Sequence, residues 1–218
     1  MEPQQPGTIA PPATVLLVGA SSIGGPACCE LCERGERRVE VRVKLNATRP
    51  ERPPSLPGER LGVVWLPPTG ASDPGEPAYE DRFTVAAFED PADLPRCGLA
   101  VSTFCEEWGR HDTQVVVCFD AFEKVLERVD TERAFHFLDV LTRRMKEVGA
   151  LAHVHLDPQA VDRQTAAAFS EIVDAVVVED TVAEPTGEEA SGPDPSPVPE
   201  TDLVEATDED VATALESV

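Results

Sequence analysis

The chain has 218 residues, with 41 acidic side chains against 18 basic ones and a formal charge of -23. That length accommodates one domain with tails and a core large enough to need no covalent staples. The charge excludes nucleic acid and anionic membrane surfaces as partners, because such a surface repels phosphate.

Met1 to Ala13 is rich in Pro and Gln and reads as a loose arm. Val15 to Val18 is a continuous apolar run ending at Gly19, the pattern of a buried parallel strand. A short helix is expected from Cys28 to Glu33. Val39, Val41, Val43 and Leu45 then alternate with Glu40, Arg42 and Lys44. Alternation of this kind predicts a strand with one solvated face, hence one near a sheet edge. Pro50, Pro53, Pro54 and Pro57 force an open loop. Leu61–Leu66 and Phe83–Phe88 are strand candidates, with a flexible insertion, Pro67–Asp81, between them.

Asp93 to Trp108 reads as a helix that places Val101, Phe104, Cys105 and Trp108 on one face, with Pro95 tolerated only in its first turn. Val115 to Phe119 is the next buried strand and ends at Asp120. The long helical stretch after it is broken or bent near Asp130 and Thr131. Its apolar positions Phe135, Leu138, Leu141, Met145 and Val148 recur at helical steps, and Gly149 stops it. Leu151–Leu156 is a strand, Asp162–Ile172 a helix and Ala175–Val178 a last strand. From Glu179 to Val218 there are 13 acids, no base and no aromatic residue. That composition predicts a disordered tail. Strands alternating with helices predict a three-layer α/β domain over residues 14–178, a mostly parallel sheet covered on both faces.

Nothing at the start of the chain reads as a secretory leader, and no apolar run approaches membrane-spanning length, so a cytoplasmic location is expected. In that compartment the six cysteines read as free thiols.

Two strand ends invite chemistry. After Val18 the chain runs Gly19, Ala20, Ser21, Ser22, Ile23, Gly24, Gly25, Pro26. A Gly- and Ser-rich loop between a buried strand and a helix start is the frame of a phosphate cradle, whose backbone N–H groups approach the anion. A working phosphate loop also needs a Lys for the β- and γ-phosphates and a Ser or Thr for magnesium. Pro26, Ala27 and Cys28 stand at the helix entry instead. The second strand end is Asp120, placed as a magnesium-holding carboxylate would be.

His153 and His155 lie two apart on a strand and so share a face. Such pairs bind metals, with Asp120 or Asp157 as an added oxygen donor, but no third protein ligand is obvious, which favours a packed pair. His111 and His136 have no partner to name. Cys28, Cys29 and Cys32 cluster on the first helix, either as reactive or metal-binding thiols or as small buried residues. Cys97, Cys105 and Cys118 read as core.

The phosphate-loop frame and the strand ending in Asp120, in that order and about a hundred residues apart, resemble a RecA-type layout. The stretch Val115–Pro158, with Phe119-Asp120, Arg133-Ala-Phe-His-Phe-Leu138 and Gly149-Ala-Leu-Ala-His153-Val-His155, resembles the KaiC-like branch of RecA-type ATPases. The whole segment Thr14–Val178 is similar to degenerate KaiC/GvpD-like domains of haloarchaea, and the acid-rich, lysine-poor composition is similar to that of salt-adapted proteins. The resemblance implies a P-loop NTPase type of fold. Active relatives also carry paired acids at the end of the second strand, where this chain reads Leu45-Asn46-Ala47-Thr48. What is implied is a domain without catalytic residues, acting as a regulatory or protein-interaction module, with a protein partner and a possible homo-oligomer. Two alternatives stay open. One is an active ATPase that binds ATP and magnesium through Gly19, Ser21, Ser22, Gly24, Gly25 and Asp120, its cation supplied by Arg133 or a neighbouring subunit. The other is a thiol or metal sensor.

Overall fold

The structure is a computed structural model, and it describes residues 3–19, 24–33, 37–45, 48–67, 78–80, 82–88, 90, 92–109 and 113–179. The described elements run β1 (Ala13–Val18), α1 (Pro26–Cys32), β2 (Arg38–Lys44), β3 (Arg60–Trp65), β4 (Ala78–Glu80), β5 (Phe83–Ala87), α2 (Leu94–Trp108), β6 (Gln114–Phe119), α3 (Glu123–Leu126), α4 (Thr131–Glu147), β7 (Leu151–Leu156), α5 (Arg163–Ile172) and β8 (Ala175–Val178). The strands form one eight-stranded sheet in the order β4-β5-β3-β2-β6-β7-β1-β8. Seven strands are parallel, and β4 joins the edge antiparallel to β5. Helices cover both faces, giving three layers, an arrangement compatible with a RecA-like one. Among the described residues no helix is long and apolar enough to cross a membrane.

Alternate residues of each strand supply the two faces. One face carries Leu16, Val41, Val43, Val117, Phe119, Val154 and Val176 and packs on α2, α4 and α5. There Phe122 meets Phe119 and Phe169 edge to face, each at 5.3 Å between ring centroids. The opposite face carries Val15, Leu17, Val116, Cys118, Leu151 and Val177 beneath α1, with Ile9. On β3 and β5, Leu61, Val63, Trp65, Phe83 and Val85 pack with Leu56 from the proline-rich loop.

Helix boundaries follow their caps. Asp93, Asp130 and Asp162 each accept a hydrogen bond from the backbone N–H three residues on, at Arg96, Arg133 and Thr165. An aspartate in that position satisfies one of the four orphaned donors at a helix start. The Asp130 cap is why the long helical stretch is two helices, α3 and α4. Gly149 follows the C-cap of α4 at φ +71°, a conformation that favours glycine.

Three elements differ from the sequence expectation. β2 lies inside the sheet, between β3 and β6, and not near an edge. Its charged positions are turned under the α1 layer: Glu40 is fully buried and accepts a hydrogen bond from Arg42. The alternation records an ion pair between a buried Glu40 and a half-buried Arg42, not a wet face. The segment expected as an insertion before Phe83 contributes the edge strand β4. In the N-terminal arm, Pro6–Thr8 forms a 3-10 turn, the Gln4 N–H donates to Val176 O at 2.8 Å, and Ile9 is buried.

Candidate functional site

In a parallel sheet, ligands favour the crevice at the carboxyl ends of the strands where successive connections leave for opposite faces. Here that point is between β1 and β7, because β1 leads to α1 on one face and β7 leads to α5 on the other. The chain itself fills part of this crevice. Glu179, just past β8, donates its backbone N–H to Val18 O, and its Oε1 accepts the Ala27 N–H at 3.1 Å. A carboxylate thus sits on the N-terminus of α1. A Cβ on Gly19 would lie 2.9 Å from Glu179 Cβ, so Gly19 is small to admit that side chain.

The other residues expected to cradle phosphate divide as follows. Gly25 is the N-cap of α1. Gly24 adopts φ +102°, and its N–H is directed at Cys28 Sγ, 3.5 Å away. Ser21 and Ser22 lie outside the described residues, as does His111. Asp120 follows β6, which β7 separates from β1. Its Oδ1 is buried and has no hydrogen-bond partner, and Ala121 beside it takes the unfavourable φ of 54°. Arg133 and His136 line a groove between α2 and α4 with Leu94, Pro95, Phe137 and Val140, on the face opposite α1.

The most developed constellation lies under α1. Helical spacing turns Cys28 and Cys32 together onto the sheet, where α1 covers β6 and β7. Register places Cys118 of β6 beside His153 of β7, and His155 lies one step along the same face. Cys28 Sγ is 3.3 Å from His153 Nε2 and 3.9 Å from Cys118 Sγ, and Cys118 Sγ is 3.7 Å from His155 Nε2. The four ligand-type atoms of Cys28, Cys118, His153 and His155 all fall within 4.8 Å of one another, and all four residues are buried. Cys32 Sγ borders the group, 3.7 Å from His153 Nε2 and 3.9 Å from Glu40 Oε1. His153 Nδ1 is buried without a partner.

The electrostatics of the cluster centre on Cys28. Hydrogen bonds from Cys118 and then Cys32 hold its thiol far below the ordinary range, against the cost of burial, with smaller contributions from His153 and His155. Cys32 is raised by its hydrogen bond to Cys28 and by burial. Cys118 is raised by burial first, then by its bond to Cys28. The opposed directions follow from the sulfurs being close enough that each thiol's hydrogen bond favours ionisation of Cys28 over that of its neighbours.

The structure thus brings the histidine pair and part of the cysteine cluster, separate candidates in the sequence, into one group. Asp120 and Asp157, the oxygen donors expected to join the histidines, stand outside the group. Cys118 is core, as expected, and also stands in this group. Its signal depends on strand order, which places Cys118 beside His153 only once β6 and β7 are known to be neighbours. Cys29 points elsewhere, its Sγ donating to Gly24 O.

No curated protein matches the chain. Residues 12–179, nearly all of the described domain, match the profile of a family of unknown function, DUF7504. The chain belongs to the DUF7504 family.

Proposed function

We propose that this domain is a non-catalytic regulatory module that works by binding a protein partner, on a RecA-like frame that has lost the means to hold nucleotide phosphate. The observation that carries the reading is the Glu179 carboxylate on the Ala27 N–H. In a phosphate loop that N-terminus receives an anion from the ligand. Here the anion belongs to the protein, and a second negative group is repelled. No lysine lies between Gly19 and Gly25 to offset the repulsion.

The test is calorimetry of the full chain in high potassium chloride with ATP and magnesium. The expected result is no binding heat up to about 1 mM nucleotide, which corresponds to less than about 4 kcal/mol of binding free energy. Micromolar binding abolished in Asp120→Asn overturns the reading. That outcome would favour the second reading, a magnesium nucleotide site, which the unpartnered Oδ1 of Asp120 supports.

A further inference from the structure

We propose that Cys28, Cys118, His153 and His155 form a closed four-ligand site for one zinc-class divalent cation, buried between α1 and the sheet. The donor set comes first. Two sulfurs and two imidazole nitrogens are what tetrahedral zinc takes in structural sites, and softer than any set that magnesium or calcium accepts. The spacing comes second. Zinc bonds of about 2.3 Å to sulfur and 2.0–2.1 Å to nitrogen imply tetrahedral edges of about 3.8 Å between sulfurs and about 3.5 Å between sulfur and nitrogen. The sulfur–sulfur edge here is 3.9 Å, two of the four sulfur–nitrogen edges are 3.3 and 3.7 Å, and every edge lies within 4.8 Å.

Charge comes third. Two thiolates around a divalent cation sum to zero, and a neutral assembly tolerates burial that isolated ions do not. On binding, the thiol protons of Cys28 and Cys118 leave to solvent and two sulfur–metal bonds form, with no change of oxidation state. The histidines bind as neutral rings through Nε2. Burial of all four residues leaves no open coordination position, so the role is to hold structure and not to activate water. The centre bolts α1 to β6 and β7. A helix of seven residues has little stability of its own, so its position depends on such an anchor. This inference is independent of whether nucleotide binds at the strand ends.

The experiment uses the full chain. Metal content is measured after purification and dialysis, and the chelator-treated protein is titrated with Co²⁺ and then Zn²⁺. The expected result is one zinc per chain, with intense tetrahedral cobalt bands and sulfur-to-cobalt charge transfer that one equivalent of zinc displaces. Cys28→Ser and His153→Gln should reduce bound metal to background, while Cys32→Ser retains one equivalent. Should the ligand variants fail to fold, X-ray absorption on the zinc-loaded wild type decides, with two sulfur and two nitrogen neighbours expected. Folded wild-type protein without bound zinc and without tetrahedral cobalt bands overturns the proposal. Retention of metal in both folded ligand variants, loss of metal in folded Cys32→Ser, or a shell of oxygen donors overturns it equally.

Discussion

Gly62 on β3 faces the aromatic side of α2. A Cβ there would meet the Trp108 ring at 3.0 Å and Phe104 at 3.2 Å. Gly62→Ala should therefore cost about 1–3 kcal/mol by overpacking. Trp108→Leu should recover part of that loss, a coupling that urea melts of a double-mutant cycle measure directly. Glu179→Ala removes the acceptor from the start of α1 and should lower stability by about 1 kcal/mol in the same assay. Two further single residues act through pH. Burial pushes the thiols of Cys97 and Cys105 up to about 12 from an ordinary 9.0. Below pH 9 folded and unfolded chains both keep these protons, and the full contribution is present. Between 9 and 12 the unfolded chain releases protons that the fold retains, so stability falls as pH rises, by about 1.4 kcal/mol per pH unit for each thiol. Melts through this window should show a shallower decline in Cys97→Ala/Cys105→Ala than in wild type.

At the level of elements, α4 and α5 owe their place to aromatic packing. Phe169 is fully buried against Phe122 and stacks on Phe135 at 6.3 Å. Phe169→Ala should cost about 3–5 kcal/mol, read by urea melts. Asp130→Ala should cost about 1 kcal/mol by uncapping α4. These elements were legible in the sequence because their cues are local: an aspartate cap, apolar positions at helical steps, a glycine stop. β2 shows where local reading fails. Glu40 and Arg42 look solvated when only their own strand is in view. Their burial depends on α1 lying above and on each other's opposite charge, and neither condition is written into the alternation. Edge strand β4 was hidden for a related reason, since three residues are too few to carry a period.

Across the whole molecule, the parallel three-layer class followed from the alternation of strands and helices, but strand order did not. The candidate metal centre depends on that order. His153 and His155 were visible as a pair from spacing alone. Cys118 becomes their neighbour only because β6 and β7 are adjacent, and Cys28 only because α1 folds back over both. A ligand set drawn from three elements that span Cys28 to His155 has no sequence spacing to recognise, unlike sites gathered on one loop.

The same strand order has a consequence for how the chain is made. β1 and β2 come early, yet they do not touch; β6 and β7 lie between them. Until residues 114–156 leave the ribosome, β1 has no partner strand and β2 is an open edge of the piece β4-β5-β3-β2. The centre of the sheet is the last gap to close, apart from β8, and its contacts are long in sequence, which slows folding. A nascent chain or truncation ending before Gln114 presents apolar strands with open hydrogen-bonding groups, the condition for self-association. Addition of β6 and β7 therefore links β1 to the rest of the sheet, and also brings Cys118, His153 and His155 to the face that α1 covers.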